Sequence, residues 1–410
     1  MGRTFQVASG ETNTWGISPA ETAFSALCMN YGDDGFSSAE ENQTQITYRG
    51  GEGVMGGLSV LVSGNTLTTA SMTIRTRKNG ANAQQVVVVP PGTTGLFSDV
   101  VNADSLSDGD TYNCQIVADA GGSGSASIRY VGIWQRAVLN HRIQYGAAED
   151  ALVGFVASTT YFCHLAGNIA LETVENSVKA QIDVAGTWAY LHCGVAVNGR
   201  STSTIIKTRK NNADGNQSLL ITSGSTGNFE DTSNTDSVAV GDDINYTIIL
   251  STGTGTFGIR NLTSVYENNT VNKSNIYSST SLGRSKIPGD VNNSGIAGML
   301  QVNNLAEGIT QQNTNFDFIA SNLKCYISAN TFTSASTLAL RKNGANANQS
   351  VSITALTTGL FEDVSNTDTF LSDDDANYQW TGGGVGAATM HWAGMLVEQK
   401  PIERVGFIFL

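Results

Sequence analysis

The tetrapeptide Arg77-Lys78-Asn79-Gly80 returns as Arg209-Lys210-Asn211-Asn212 and again as Arg341-Lys342-Asn343-Gly344, 132 residues further on each time. Neighbouring residues keep the same step. Thr94-Gly95-Leu96-Phe97-Ser98-Asp99 becomes Thr226-Gly227-Asn228-Phe229-Glu230-Asp231 and then Thr358-Gly359-Leu360-Phe361-Glu362-Asp363. Asn102 and Asp104 become Asn234 and Asp236, then Asn366 and Asp368. A triple match at constant spacing means that one folding problem is solved three times along the chain. The period far exceeds the roughly 20–50 residues of solenoid and propeller repeats and suits a self-sufficient domain. The expected units are 1–136, 137–267 and 268–400, the last including a linker, followed by an apolar tail at 401–410.

Within each unit the local pattern is β. Ser203-Thr204-Ile205-Ile206-Lys207-Thr208-Arg209 is a β-branched run that ends in an Asn-rich turn, and the first unit has Asn79-Gly80 there. Asn-Gly is the strongest short hairpin signal, because both central residues of a type I′ turn need positive φ. Gln85-Val86-Val87-Val88-Val89 follows, closed by Pro90-Pro91-Gly92. Each unit ends in a strand such as Ile128-Arg129-Tyr130-Val131-Gly132-Ile133-Trp134. Helical periodicity is confined to short stretches at 152–156 and 296–300. Strands with Gly-rich turns between them predict an all-β chain of three tandem antiparallel jelly-roll β-sandwich domains, 132 residues apiece.

The string Arg341-Lys342-Asn343-Gly344-Ala345-Asn346-Ala347-Asn348-Gln349-Ser350, with Thr358-Gly359-Leu360-Phe361-Glu362-Asp363 and Asp373-Asp374-Asp375-Ala376-Asn377-Tyr378, resembles jelly-roll repeats of tailed-bacteriophage surface proteins. It is similar, more loosely, to tumour-necrosis-factor-like trimeric jelly rolls. The resemblance covers the second half of each unit and implies a surface-exposed, assembly-forming β module without catalytic signature.

The triplicated residues are the first site candidates. Phe97, Phe229 and Phe361 read as core anchors. The sets Asp99, Asn102, Asp104; Asp231, Asn234, Asp236; and Asp363, Asn366, Asp368 offer the oxygen ligands that Ca²⁺ takes, but Asx-turns closing on their own backbone are the preferred reading. No cofactor is otherwise expected. The Arg-Lys pair before each turn is expected to bridge to that acidic loop. Residues repeated in all three copies should specify the fold, whereas residues unique to one copy are better candidates for a unique task.

Five cysteines (Cys28, Cys114, Cys163, Cys193, Cys325) form neither a disulfide framework nor a zinc ribbon. Cys193 and Cys325 lie one period apart, and the period places Leu61 at the same position, which reads as a buried apolar site. Cys163-His164 and His192-Cys193 make a poor zinc set, because adjacent strand residues face opposite ways. Asp290-Val291-Asn292-Asn293-Ser294-Gly295 imitates the opening of a calcium loop, but Gln301 stands where the bidentate Glu belongs. Residues 253–258 spell GxGxxG between two strands, without the helix that dinucleotide binding needs.

Charge narrows the partners. With 22 Lys+Arg against 35 Asp+Glu the net charge is −13, and charged residues are only 14% of the 410, against roughly 25% in ordinary domains. An acidic chain without a basic stripe is no nucleic-acid binder, and no apolar run is long enough to span a bilayer. The N-terminal residues lack a secretion signal, so synthesis in a host cytoplasm is expected. The tail residues Val405, Phe407, Ile408, Phe409 and Leu410 are expected to pack on a partner or on this chain. The expected function is a non-enzymatic virion structural protein, a capsid decoration or cement element of a tailed phage. Its partners would be capsid or other virion proteins, or copies of itself, with no nucleic acid or membrane. The alternative is a tail-associated receptor-binding module recognising host surface glycan, stacking sugar on Trp15, Trp188, Trp380 or Trp392 where these are exposed, although burial in the core is the preferred reading of those tryptophans.

Overall fold

A computed structural model describes residues 3–9, 15–25, 44–49, 51–137, 142–148, 155, 158–169, 172–270, 272–287, 291–300 and 306–400. Each repeat folds into two facing antiparallel sheets. In the second, one sheet runs Arg142–Ala148, Phe257–Asn268, Gly186–Asn198, Gly227–Val238, and the other Thr160–Cys163, Asp243–Leu250, Thr204–Lys210, Ala213–Ile221. Counted along the chain, these main strands pair in the orders 1-8-3-6 and 2-7-4-5. That is the winding of a jelly roll. The first repeat has the same orders, from Arg3–Ser9 to Ala126–Ala137, and so does the third, from Lys273–Lys286 to Ala388–Gln399. The chain is thus an all-β protein of jelly-roll sandwiches. The sheets of the second and third repeats are joined into one by Gly167–Asn168, which runs parallel to a strand of each.

Local sequence accounts for these elements. Along Met72–Lys78 and Thr204–Lys210, buried and half-buried positions alternate, as one sheet face on a core requires. The hairpin turns are left-handed at both central residues: Asn79 and Gly80 (φ 50° and 72°), Asn211 and Asn212 (50° and 67°), Asn343 and Gly344 (50° and 78°). These are the type I′ turns that the Asn-rich signal predicts. Residues 296–300 are not helical: Val291–Gly295 and Gly298–Met299 are strands. Of 152–156 only Phe155 is described. Among the described residues the helical turns are 3₁₀ turns at Glu175–Val178 and Glu307–Ile309, too short to show a period in sequence.

Register corrects one equivalence. Cys193 is paired with Phe229 and Cys325 with Phe361, but it is Val60, not Leu61, that pairs with Phe97. The 132-residue step fails by one along this strand because the first repeat carries one residue more in the loop that follows it, Asn65 to Met72 against Asn198 to Thr204. All three copies carry a β-bulge in this strand, skipping Gly57, Tyr190 and Asn322, each with positive φ (62°, 56°, 51°). Val60, Cys193 and Cys325 are fully buried in their three separate cores. Phe97, Phe229 and Phe361 are half-buried and pack against the same cores, as anchors at the rim.

Candidate functional site

The triplicated acidic residues act on the backbone. The Asp99 carboxylate accepts hydrogen bonds from the backbone N–H of Val86 (2.9 Å), Val101 (3.2 Å) and Asn102 (3.0 Å), and from the Asn102 amide. Asp231 and Asp363 do the same with Ser218, Ser233, Asn234 and with Ser350, Ser365, Asn366. Asp104 caps the N–H of Gln84 at 2.6 Å and takes the Thr76 hydroxyl and the Gln85 amide; Asp236 and Asp368 cap Asn216 and Asn348. The N–H groups of Val86 and Gln84, of Ser218 and Asn216, and of Ser350 and Asn348 lie on Ala81–Val89, Ala213–Ile221 and Ala345–Ile353, each the last strand of its sheet. An edge strand with free N–H groups is a template for pairing with another chain. These carboxylates occupy that edge.

The same geometry bears on calcium. Burial pushes the Asp99 carboxyl up, but the Asn102 contacts and the N–H groups of Val86 and Val101 outweigh it and hold the group below the ordinary carboxylate range. Asp231 and Asp363 are lowered likewise. Asn102 donates its amide to Asp99 rather than turning its carbonyl to a shared point. Among the described residues no three Asp, Glu, His or Cys side chains gather as a metal-holding group. The lysines of the Arg-Lys pairs reach the end of this loop through its backbone, donating to the Ser105, Ser237 and Thr369 carbonyls at 2.7–2.8 Å rather than to its carboxylates. Arg209 and Arg341 clamp Glu175 and Glu307 bidentately at 2.8–2.9 Å, and Lys78 and Lys342 reach Asp110 and Asp374 at 2.8 Å.

The less repetitive residues meet where the repeats meet. Strand pairing makes Arg49, Asp183 and Asn315 structural equivalents: each lies two residues beyond the short strand Ile46–Thr47, Ala180–Gln181 or Gln312–Asn313. Each reaches into a neighbouring repeat. Arg49 grips Glu230 of the second repeat bidentately, at 2.7 and 2.6 Å. Asp183 accepts from Lys324 (2.7 Å), Asn322 (2.6 Å) and Asn275 of the third. Asn315 donates to the Gly57 carbonyl of the first at 3.3 Å. Leu61 and Tyr130 of the first repeat belong to the third repeat's core cluster, and Trp392 of the third to the second's. Second on first, third on second and first on third, the contacts close a ring within one chain.

The three seams differ in charge. One joins a cation on the short-strand side to an anion, the next reverses the signs, and the last is neutral. Reversing the order of the ring would bring Arg49 to the third repeat's face, where Lys324 lies. Like-charge juxtaposition of this kind costs several kcal/mol on general grounds. None of these residues stood among the sequence candidates. The one signal pointing to them was that they break the repeat.

Other candidates are placed in cores. Cys114, Cys163, Cys193 and Cys325 are buried free thiols, and burial pushes Cys114 up to about 12. Cys163 lies in the core with Cys193, while His164 contacts Tyr277 and Trp392 and His192 lies beside Glu230 and Arg49, so the two pairs do not form one ligand set. Trp188, Trp380 and Trp392 are buried at 0–1% exposure, as their preferred core reading has it, so they do not stack sugar as exposed rings; the side chain of Trp15 lies outside the described residues. Asn292 to Gly295 form a strand paired with Asp375–Thr381 rather than a calcium loop. The tail residues Val405, Phe407, Ile408, Phe409 and Leu410 lie outside the described residues. No described helix is long and apolar enough to cross a membrane.

No protein-family model and no curated relative matches the chain. Solved structures resemble it loosely. One, described under "The Triple Jelly Roll Fold and Turret Assembly in an Archaeal Virus", is 12% identical over 87% of this chain and 82% of its own, at a TM-score of 0.20. A second, of Sulfolobus Turreted Icosahedral Virus, is 13% identical over 87% and 83%, at 0.16. A third, PNGF-II, is 7% identical over 81% and 99%, at 0.22. Viral and non-viral structures thus match at similar scores.

Proposed function

We propose that the chain is a non-enzymatic structural protein of a virion, a decoration or cement element on the capsid of a tailed phage. The observation that carries this reading is the closed ring of seams at Arg49, Asp183 and Asn315. Three similar sandwiches locked in a ring present three related faces around one axis, so a single chain matches a local threefold position on a particle without oligomerising. Adhesion then comes from largely uncharged, shape-complementary surfaces that bridge neighbouring capsid subunits. The first repeat adds exposed apolar residues, Val86, Val88, Val100 and Val101, where the third has Ser350, Ser352, Val364 and Ser365. The resemblance of the repeat strings to tailed-phage surface proteins supplies the particle type.

The test is cryo-electron microscopy of the particle with the full chain and with a chain lacking 401–410. The expected result is one copy per threefold position on the head, and loss of occupancy on truncation. Density at the tail tip, or an absence from the head, refutes the reading; unchanged occupancy refutes the tail's part in it. The alternative, a tail-associated receptor-binding module for host glycan, is favoured by a cleft between the second and third repeats.

A further inference from the structure

That cleft, of about 320 Å³, is lined by Asn176, Lys179, Gln181 and Asp243 of the second repeat and by Tyr326, Leu360 and Trp392 of the third. Its volume falls at the lower end of the roughly 300–1,000 Å³ of small-molecule sites. One wall is a row. Leu360, Tyr326 and Trp392 are direct cross-strand neighbours on adjacent strands, so their side chains share a face. Tyr326 and Leu360 are half-buried, and the buried Trp392 Nε1–H has no partner in the protein. Such a donor is costly to leave unpaired.

The same row differs at the other seams. In the first repeat it is Leu96, Leu61 and Tyr130, with Leu61 and Tyr130 buried against the third repeat. In the second it is Asn228, Gly194 and Asn261, a polar row in the repeat that takes the Arg49 clamp. Among the described residues, the open aromatic row belongs to this seam. The opposite wall is polar: the side chains of Asn176, Lys179, Gln181 and Asp243 make no hydrogen bond among the described residues, and they carry one cation and one anion. Burial raises the Asp243 carboxyl, with Lys179 and Lys324 drawing it back.

A half-buried Tyr326 ring, flanked by Leu360 and the buried Trp392 and facing an uncommitted ammonium, carboxylate and two amides, suits a ligand with an apolar face and hydroxyls around its rim. The negative ring faces attract polarised C–H groups, and the balanced charge favours a neutral molecule. The space holds one such ring with a few waters of about 30 Å³ each. We propose that this cleft binds a neutral hexopyranose, free or as the terminal residue of a glycan chain, with Tyr326 as the stacking platform and Asp243 and Lys179 as hydroxyl partners.

The test uses the full chain with D-glucose, D-galactose, D-mannose and N-acetyl-D-glucosamine, by saturation-transfer NMR and calorimetry, and with arrayed oligosaccharides ending in the same sugars. Binding in the free-sugar arm identifies a free saccharide as sufficient; binding on the array alone identifies the terminal residue of a chain. In the responding arm Tyr326→Ala and the near-isosteric Asp243→Asn should each weaken binding tenfold or more, while Tyr326→Phe retains it. Asp375→Asn, the same position in the third repeat, should leave it unchanged. Melting and far-UV circular dichroism establish that each variant is folded. No binding in either arm, or binding that survives both Tyr326→Ala and Asp243→Asn, overturns the proposal.

Discussion

Removing the Asp183 carboxylate should loosen the seam between the second and third repeats more than removing its partner. The Lys324 ammonium is fully buried (0% exposed), 2.7 Å from Asp183, with the Gln181 carbonyl at 3.0 Å as its other oxygen. Asp183→Ala strands that charge, and an orphaned buried charge costs about 3–5 kcal/mol. Lys324→Met keeps the aliphatic stem and leaves Asp183, 10% exposed, with the amides of Asn322 and Asn275; the loss there is about 1–3 kcal/mol. The double variant has no buried charge, so it should be more stable than Asp183→Ala alone, with a coupling of at least about 1.5 kcal/mol. Urea unfolding followed by tryptophan fluorescence measures this, because Trp392 is buried at the same seam. A cost for Asp183→Ala below about 1 kcal/mol, or a double variant equal to the sum of its singles, would refute the claim that this pair locks the ring.

Two further outcomes follow from the same geometry. Asp231→Ala orphans the edge N–H of Ser218 and those of Ser233 and Asn234, and should cost about 1–3 kcal/mol and raise aggregation by light scattering; a variant equally stable and equally soluble would count against edge protection. Burial lowers His192 to about 4 and His164 to about 3, against about 6.5 in the unfolded chain. The unfolded state therefore binds more protons below pH 6.5. Stability should fall with pH down to about 4, by about 1.4 kcal/mol per pH unit for each histidine. Flat denaturation midpoints between pH 7 and 5 contradict this.

Much of the fold is legible along the chain because each copy solves its packing locally. The Asn79-Gly80 turn, the alternation in Met72–Lys78 and the Phe97 rim anchor rest on residues close in sequence or in register with it, and three copies repeat the signal. The Asp99 and Asp104 roles were only half legible. Their spacing suggested turns or calcium; capping a sheet edge needs Val86 and Gln84, 13 and 20 residues away. The equivalence of Leu61 with Cys193 failed because a fixed step does not detect one extra residue in the loop between Asn65 and Met72.

The amino-acid order by itself determined a three-fold repeat of antiparallel sandwiches, since strand period, turn chemistry and apolar spacing are properties of short segments. Tertiary structure alone decided which copy faces which. Arg49 and Glu230 are 181 residues apart, Asp183 and Lys324 141, Gly57 and Asn315 258. No local pattern pairs groups at such separations; they meet because closing the ring desolvates those side chains together, and only complementary charges or satisfied hydrogen bonds make that desolvation favourable.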